Sequence, residues 1–199
     1  MKRTVTRYGA GTWSWTVPDG LWDIAKPLIP EQRTRPQGGG TANTPDETLF
    51  AAIIYVLVSG CAWRALPPCF DVSKSTAHRR FLIWPRAGVW GCLHEAVLHR
   101  LNDAGFIHVT CVVLDTAHVR AKKEANTGPS PVDRNNRVRR CTSSERLGRS
   151  RWVIERTMSW LFGYRRLSPR YERHPRNYLA FLGLAAALCC CKRLVRLTT

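Results

Sequence analysis

The segment 49–60, LFAAIIYVLVSG, is apolar on almost every side of a helix and carries no charge. Such a helix cannot lie on a surface, so it marks the middle of a small helical domain. Its ends are legible. Thr44 is the expected N-cap, Pro45 suits the first helical position, and Glu47 at N3 completes a T-x-x-E capping box. Gly60 is the expected stop. Neighbouring segments must cover this helix. LWDIAKPLIP at 21–30 predicts a short helix halted by Pro27 and Pro30. Ser73 is a second N-cap, opening a helix through KSTAHRRFLIW to Trp84. A further helix over about 87–103 repeats Leu93, Val97 and Leu101 on one face. Residues 1–20 read as a poorly ordered lead-in, and EQRTRPQGGGTANT, with its three successive glycines, as a flexible loop.

A buried helix, the Pro-containing connector CAWRALPPCF, then a helix bearing Lys74, His78, Arg79 and Arg80 is the layout of a helix-turn-helix module. In that module the second helix offers its polar face to the major groove of DNA. The same residues also fit a plain three-helix bundle with a solvated basic face. The formal net charge of +17 points to a polyanion partner, nucleic acid before membrane, because the cations recur between segments and do not line one amphipathic face.

From Phe106 the periodicity changes. IHVTCVVLD is a short β-branched run, expected as a buried strand ending at Asp115. A carboxylate at a strand end is a common metal ligand, and equally a turn or cap residue. Helical pattern resumes near Glu145 and runs to about Tyr164, with Glu155 as the only acid between Arg146 and Tyr171. Glu155 can bind metal, or it can pair with Arg151 one turn earlier. Isolated carboxylates among cations suit metal-dependent chemistry on a phosphate backbone, where cations hold phosphate and carboxylates hold the metal. A last helix is expected over 177–196.

Eight cysteines do not make a disulfide scaffold here. MKRTVTRYGAGTWSW has no apolar signal region, Cys189, Cys190 and Cys191 are consecutive on a helix, and Cys61 and Cys69 lack a second pair at zinc-finger spacing. Reduced thiols in a cytoplasmic protein are expected. The apolar run from Leu179 to Cys191 is 13 residues, short of the roughly 20 that a membrane span needs, so a buried helix and no membrane partner are expected.

Several blocks, in order, resemble the IS5-type DDE transposases of bacterial insertion sequences. LWDIAKPLIP, FAAIIYVLVSGCAWRALPPCF and STAHRRFLIWPRAGVW resemble the family's helical N-terminal part. VVLDTAHVRAKK with TGPSPVDR resembles its first catalytic block, SSERLGRSRWVIERTMSWLFGYRRLSPRYERHP the third, and NYLAFLGLAAAL the closing helix. The resemblance implies an RNase H-like core whose Asp, Asp and Glu bind two divalent metals, Mg2+ or Mn2+. These cut DNA at the element's terminal inverted repeats and join the 3′ hydroxyls to target DNA. Asp115 matches the first Asp and Glu155 the Glu. Arg151, Arg156, Arg165 and Arg166 match basic positions that the resemblance assigns to phosphate contact. Family members are expected to work as dimers or larger assemblies.

The second Asp block has no counterpart. Between Asp115 and Glu155 stand 39 residues, whose only acids are Glu124, Asp133 and Glu145. An RNase H-like sheet needs several strands and a helix in that interval, and they do not fit. The fold expected is therefore mixed α+β and mainly α. It comprises a lead-in at 1–20, a helix-turn-helix-like DNA-binding domain at 21–104, and at 105–196 a truncated RNase H-like core lacking its central block. The expected function is that of a transposase defective in strand cleavage. The alternatives are a DNA-binding regulator of the full-length transposase and an unstable gene remnant.

Overall fold

The computed structural model describes residues 13–32, 44–106, 156–168, 171–172 and 174–198. Every regular element among them is helical: α1 (Leu21–Ala25) with a 3-10 turn at Lys26–Leu28, α2 (Asp46–Ser59), turns at Trp63–Ala65 and Pro68–Phe70, α3 (Lys74–Ile83), α4 (Val89–Asp103), a helical stretch over 156–162 (α5), and α6 (Pro175–Thr198). The strand expected at 107–115 lies outside the described residues, as does most of the loop at 31–44.

α2 is the central helix that its composition demands. Leu49, Phe50, Ala51, Ala52, Ile53, Ile54, Val56 and Leu57 are all buried. The Phe50 ring lies 5.5 Å from Trp22, 6.5 Å from Trp84 and 5.9 Å from Trp90, so α1, α3 and α4 converge on one aromatic centre. Aromatic pairs at such spacings stabilise beyond their buried area, by about 0.5–1.5 kcal/mol each.

The start of α2 corrects the capping box. Pro45 is extended (ψ 136°) and is itself the N-cap, with no side-chain cap bond. The helix begins at Asp46, one residue later than the box requires, so Glu47 is at N2. Asp46 instead accepts from Gln32 Nε2 at 2.7 Å, and the same nitrogen donates to the Thr44 carbonyl at 3.0 Å. The two acids in the first turn still favour the helix dipole. The other end is as expected: Gly60 adopts φ 69° and its amide donates to the Val56 carbonyl at 3.0 Å.

The lead-in is packed where it is described. Trp13 stacks on Phe70 at 4.9 Å, Trp15 lies 5.9 Å from Tyr55, and Val17 is buried. These aromatics find partners far along the chain, which a local reading of Gly- and Thr-rich sequence does not anticipate.

α6 packs chiefly against α4 and also touches α2. Ala180, Phe181, Leu184, Ala185, Ala187, Leu188 and Cys191 are buried along it. A Cβ at Gly183 would meet Trp90 Cβ at 3.6 Å, an ordinary van der Waals contact, so the two helices touch at this point. The helix is 24 residues long with a mean hydropathy of 1.7 over its most apolar window, long and apolar enough to cross a membrane by those measures alone. Part of that apolar surface is spent on the core, which runs without interruption from Val17 through α2, α3 and α4 to Cys191. The described cysteines, Cys61, Cys69, Cys92, Cys189, Cys190 and Cys191, are unpaired thiols.

Candidate nucleic-acid interface

α3 divides cleanly into two faces. Ser73 caps its start: the Thr76 amide donates to Ser73 Oγ at 3.1 Å, satisfying one orphan donor of the first turn. Ala77 and Phe81 turn inward and Trp84 follows them into the core, whereas Lys74, Ser75 and Arg79 are exposed, and His78 and Arg80 are half-buried. Arg64, on the turn packed against α3, and Arg86, just past the helix, are also exposed. Both add cations that the pattern of α3 alone did not single out. A rigid, capped helix with its apolar side fixed and its basic side in water can hold a polyanion at a defined orientation.

Arg165 and Arg166 come from the other end of the sequence to the connector between α2 and α3. The Arg166 amide donates to the Leu57 carbonyl at 3.2 Å, docking the segment on the last turn of α2. A Cβ at Gly60 would stand 2.7 Å from Arg165 Cβ, so only glycine leaves room for this approach. Arg165 remains exposed. Arg166 does not: it is 6% exposed, and its guanidinium is fully engaged. Its Nε donates to Glu172 Oε1 at 3.2 Å, Nη2 donates to the same oxygen, and Nη1 donates to the Cys61 carbonyl at 2.9 Å. It lies 5.0 Å from the Tyr171 ring, 5.6 Å from Phe181 and 6.0 Å from Trp63. Trp63 in turn contacts His78 at 5.2 Å and Phe81 at 5.3 Å. The Arg166 guanidinium, expected at a phosphate, is turned inward here onto a carboxylate and a carbonyl.

Arg156 is exposed on α5, its guanidinium 5.0 Å above the ring of Trp160 one turn later, and that ring is itself 42% exposed. Arg151, Glu155 and Asp115 lie outside the described residues. The structure therefore brings Lys74, His78, Arg79 and Arg80 together on α3 and sets Arg165 beside the connector that leads to it. Glu172 and Trp63, which organise the junction, escaped the sequence reading. The signal was an acid in a strongly basic link, YERHPRN.

The titratable groups of the α4–α6 seam are driven neutral. Burial lowers His94, against the opposing pull of Glu95. Burial raises the thiols of Cys189 and Cys190, and pushes Cys191 up to about 11. Burial, with the neighbouring Cys189, raises the Tyr164 hydroxyl as well. Uncharged thiols are poor nucleophiles and poor metal ligands, so this seam is packing. Among the described residues no three metal-binding side chains cluster. Asp115 and Glu155 are hard oxygen donors, the right type for Mg2+ or Mn2+ and one carboxylate short of the set implied by resemblance.

Comparison with known proteins places the chain among insertion-element proteins. Residues 17–94 match the family described as "Putative transposase of IS4/5 family", and residues 92–190 match the family described as "Transposase DDE domain". The "Insertion element IS402 uncharacterized 16.2 kDa protein" of Burkholderia cepacia is 32% identical over 107 residues, covering 53% of this chain and 73% of that protein. The "Putative transposase for insertion sequence element IS402" of the same organism is 45% identical over 58 residues, 29% of this chain and 28% of that protein. No solved structure matches the chain.

Proposed function

The chain belongs to the IS4/5 family of insertion-sequence transposases, and from that premise we propose that it binds the terminal DNA of its element without completing strand transfer. The observation that carries the reading is α3: a capped helix with its apolar side packed and Lys74 and Arg79 in water, in a chain of net charge +17. Residues 21–104 act as the helix-turn-helix-like DNA-binding domain, reading the terminal inverted repeats through Lys74, His78, Arg79 and Arg80. Arg151, Arg156 and Arg165 add phosphate contacts. The stretch 134–176 holds 13 Arg or Lys against 3 acids, a density that gives strong, salt-dependent and largely sequence-independent affinity.

Residues 105–196 descend from an RNase H-like core, with Asp115 and Glu155 as remaining metal ligands and Mg2+ or Mn2+ as the ion. When bound, the metal supplies activation of the attacking oxygen and stabilisation of the leaving one. With 39 residues between the two carboxylates the second aspartate block is missing, so cleavage is abolished or nearly so. A cytoplasmic DNA-binding regulator, paired with another copy or with a full-length transposase at the element ends, is the second reading, favoured by that same interval.

The test is binding, cleavage and joining on DNA carrying the gene's own flanking sequence, with Mg2+ and with Mn2+, beside Asp115→Asn and Glu155→Gln. Binding without cutting is expected. Metal-dependent cutting that both substitutions abolish would overturn the catalytic defect, and loss of binding at every salt concentration would overturn the DNA reading.

A further inference from the structure

Arg166 is a buried cation at the junction of two basic regions. Its amide and Nη1 hold the carbonyls of Leu57 and Cys61 on either side of Gly60, its Nε holds Glu172, and its guanidinium faces the Trp63 ring that supports His78 and Phe81 of α3. Two different acceptors and three flanking rings require a planar fork with donors in several directions, which lysine does not have. Buried on these partners, Arg166 can act on a polyanion only through its neighbours.

We infer that Arg166 is a positioning residue for DNA binding, fastening α3 and the 156–168 segment to one body so that Lys74 and Arg79 engage the same duplex as Arg156 and Arg165. The inference rests on the DNA-binding reading above. A short duplex is stiff, with a persistence length of about 150 base pairs, so its phosphates present a fixed array. Two sets of cations satisfy a fixed array together only when their mutual placement is also fixed. Otherwise the second set binds as a loosely tethered module and contributes less. Glu172 is part of the same device, since it holds the fork in plane and balances a charge that would otherwise be stranded in the core.

The experiment is fluorescence anisotropy of the full chain with a short mixed-sequence duplex over a salt series, alongside thermal melting and hydrogen exchange. In the double variant Arg166→Met with Glu172→Leu, both charges give way to apolar side chains of similar volume, an exchange that buried pairs often tolerate. The expected result is an unchanged melting midpoint, duplex affinity down about tenfold, and a plot of log affinity on log salt shallower by about two, as when two phosphate contacts disengage. Faster exchange of the α3 amides than of the α2 amides should accompany it. Wild-type affinity and slope in the folded double variant would overturn the inference.

Should the double variant not fold, Arg166→Lys reads the same quantity: it keeps the cation and loses the fork. An affinity down about threefold with a shallower slope supports positioning, and an unchanged slope overturns it. Arg165→Ala is the reference, expected to lower the slope by about one through direct loss of a contact. A wild-type chain that shows no salt-dependent binding sinks the DNA reading itself, a result distinct from wild-type binding that the Arg166 variants leave intact.

Discussion

The C-terminal part of the chain is attached to the helical body in two physically different ways. α6 lies against α4, with Gly183 in contact with Trp90, stacks Phe181 on Phe81 of α3 and buries Leu184 and Leu188, an apolar joint. A few residues upstream, Arg165 and Arg166 dock on the end of α2 through directed hydrogen bonds, an ion pair and a glycine with no room for a side chain. Apolar contact is non-directional and scales with area, so the first joint supplies most of the free energy and tolerates small shifts. Hydrogen bonds and a buried charge contribute little net stability, yet they tolerate only one geometry. The molecule places the exacting joint next to the helix proposed to read DNA.

Substitutions can break either joint, and the two should fail differently. The largest effect is expected at Trp90, whose ring lies 5.9 Å from Phe50 and 5.6 Å from Trp84. Trp90→Ala should cost about 3–5 kcal/mol in denaturant unfolding, because a cavity opens where three helices meet. A loss under 1 kcal/mol would mean that the apolar joint is not the main attachment. Glu172→Leu alone should cost about 3 kcal/mol by stranding the Arg166 cation. Recovery of the melting midpoint when Arg166→Met is added separates charge burial from lost packing.

Gly60→Ala should cost about 2 kcal/mol, from the left-handed backbone at φ 69° and from crowding Arg165. The penalty should fall, though not vanish, in an Arg165→Gly background that removes the opposing Cβ. A further effect is with pH. The buried Cys191 thiol holds its proton up to about 11, whereas an unfolded thiol releases it near its ordinary value of 9.0. Its contribution is fully present below pH 9 and is lost as pH rises towards 11, since there the unfolded chain gives up protons that the folded chain retains. Melting midpoints should decline across that window, and Cys191→Ala should flatten the decline.

The same contrast explains what could be read from sequence. The ends of α2 and α3 at Gly60 and Ser73 were legible because a stop glycine and a cap serine act on atoms within four residues of themselves. The heavy burial of α2 followed from composition alone. The Thr44 box does not form because Pro45 is extended and takes the N-cap place itself, while Asp46 accepts from Gln32, 14 residues away. The inward turn of Arg166 was invisible for a stronger reason: its acceptor on Cys61 is 105 residues distant, and arginine in a basic run reads as a solvent-facing cation unless the fold supplies a buried carboxylate. On α3, helical spacing and the buried positions Ala77 and Phe81 fix which side faces water, so the exposure of Lys74 and Arg79 was legible, while the half-burial of His78 and Arg80 was not.

The seat of α6 on α4 also bears on how such a gene can change and still yield a folded product. Both helices belong to one core, yet they stand at opposite ends of a long interval of chain. Joining two such ends costs free energy only as the logarithm of the interval, about 0.6 kcal/mol for each doubling. By that term alone, the length of an interval weighs little on the joint between the elements it separates. A family member can thus change the length of its middle at small closure cost to the packing of its ends.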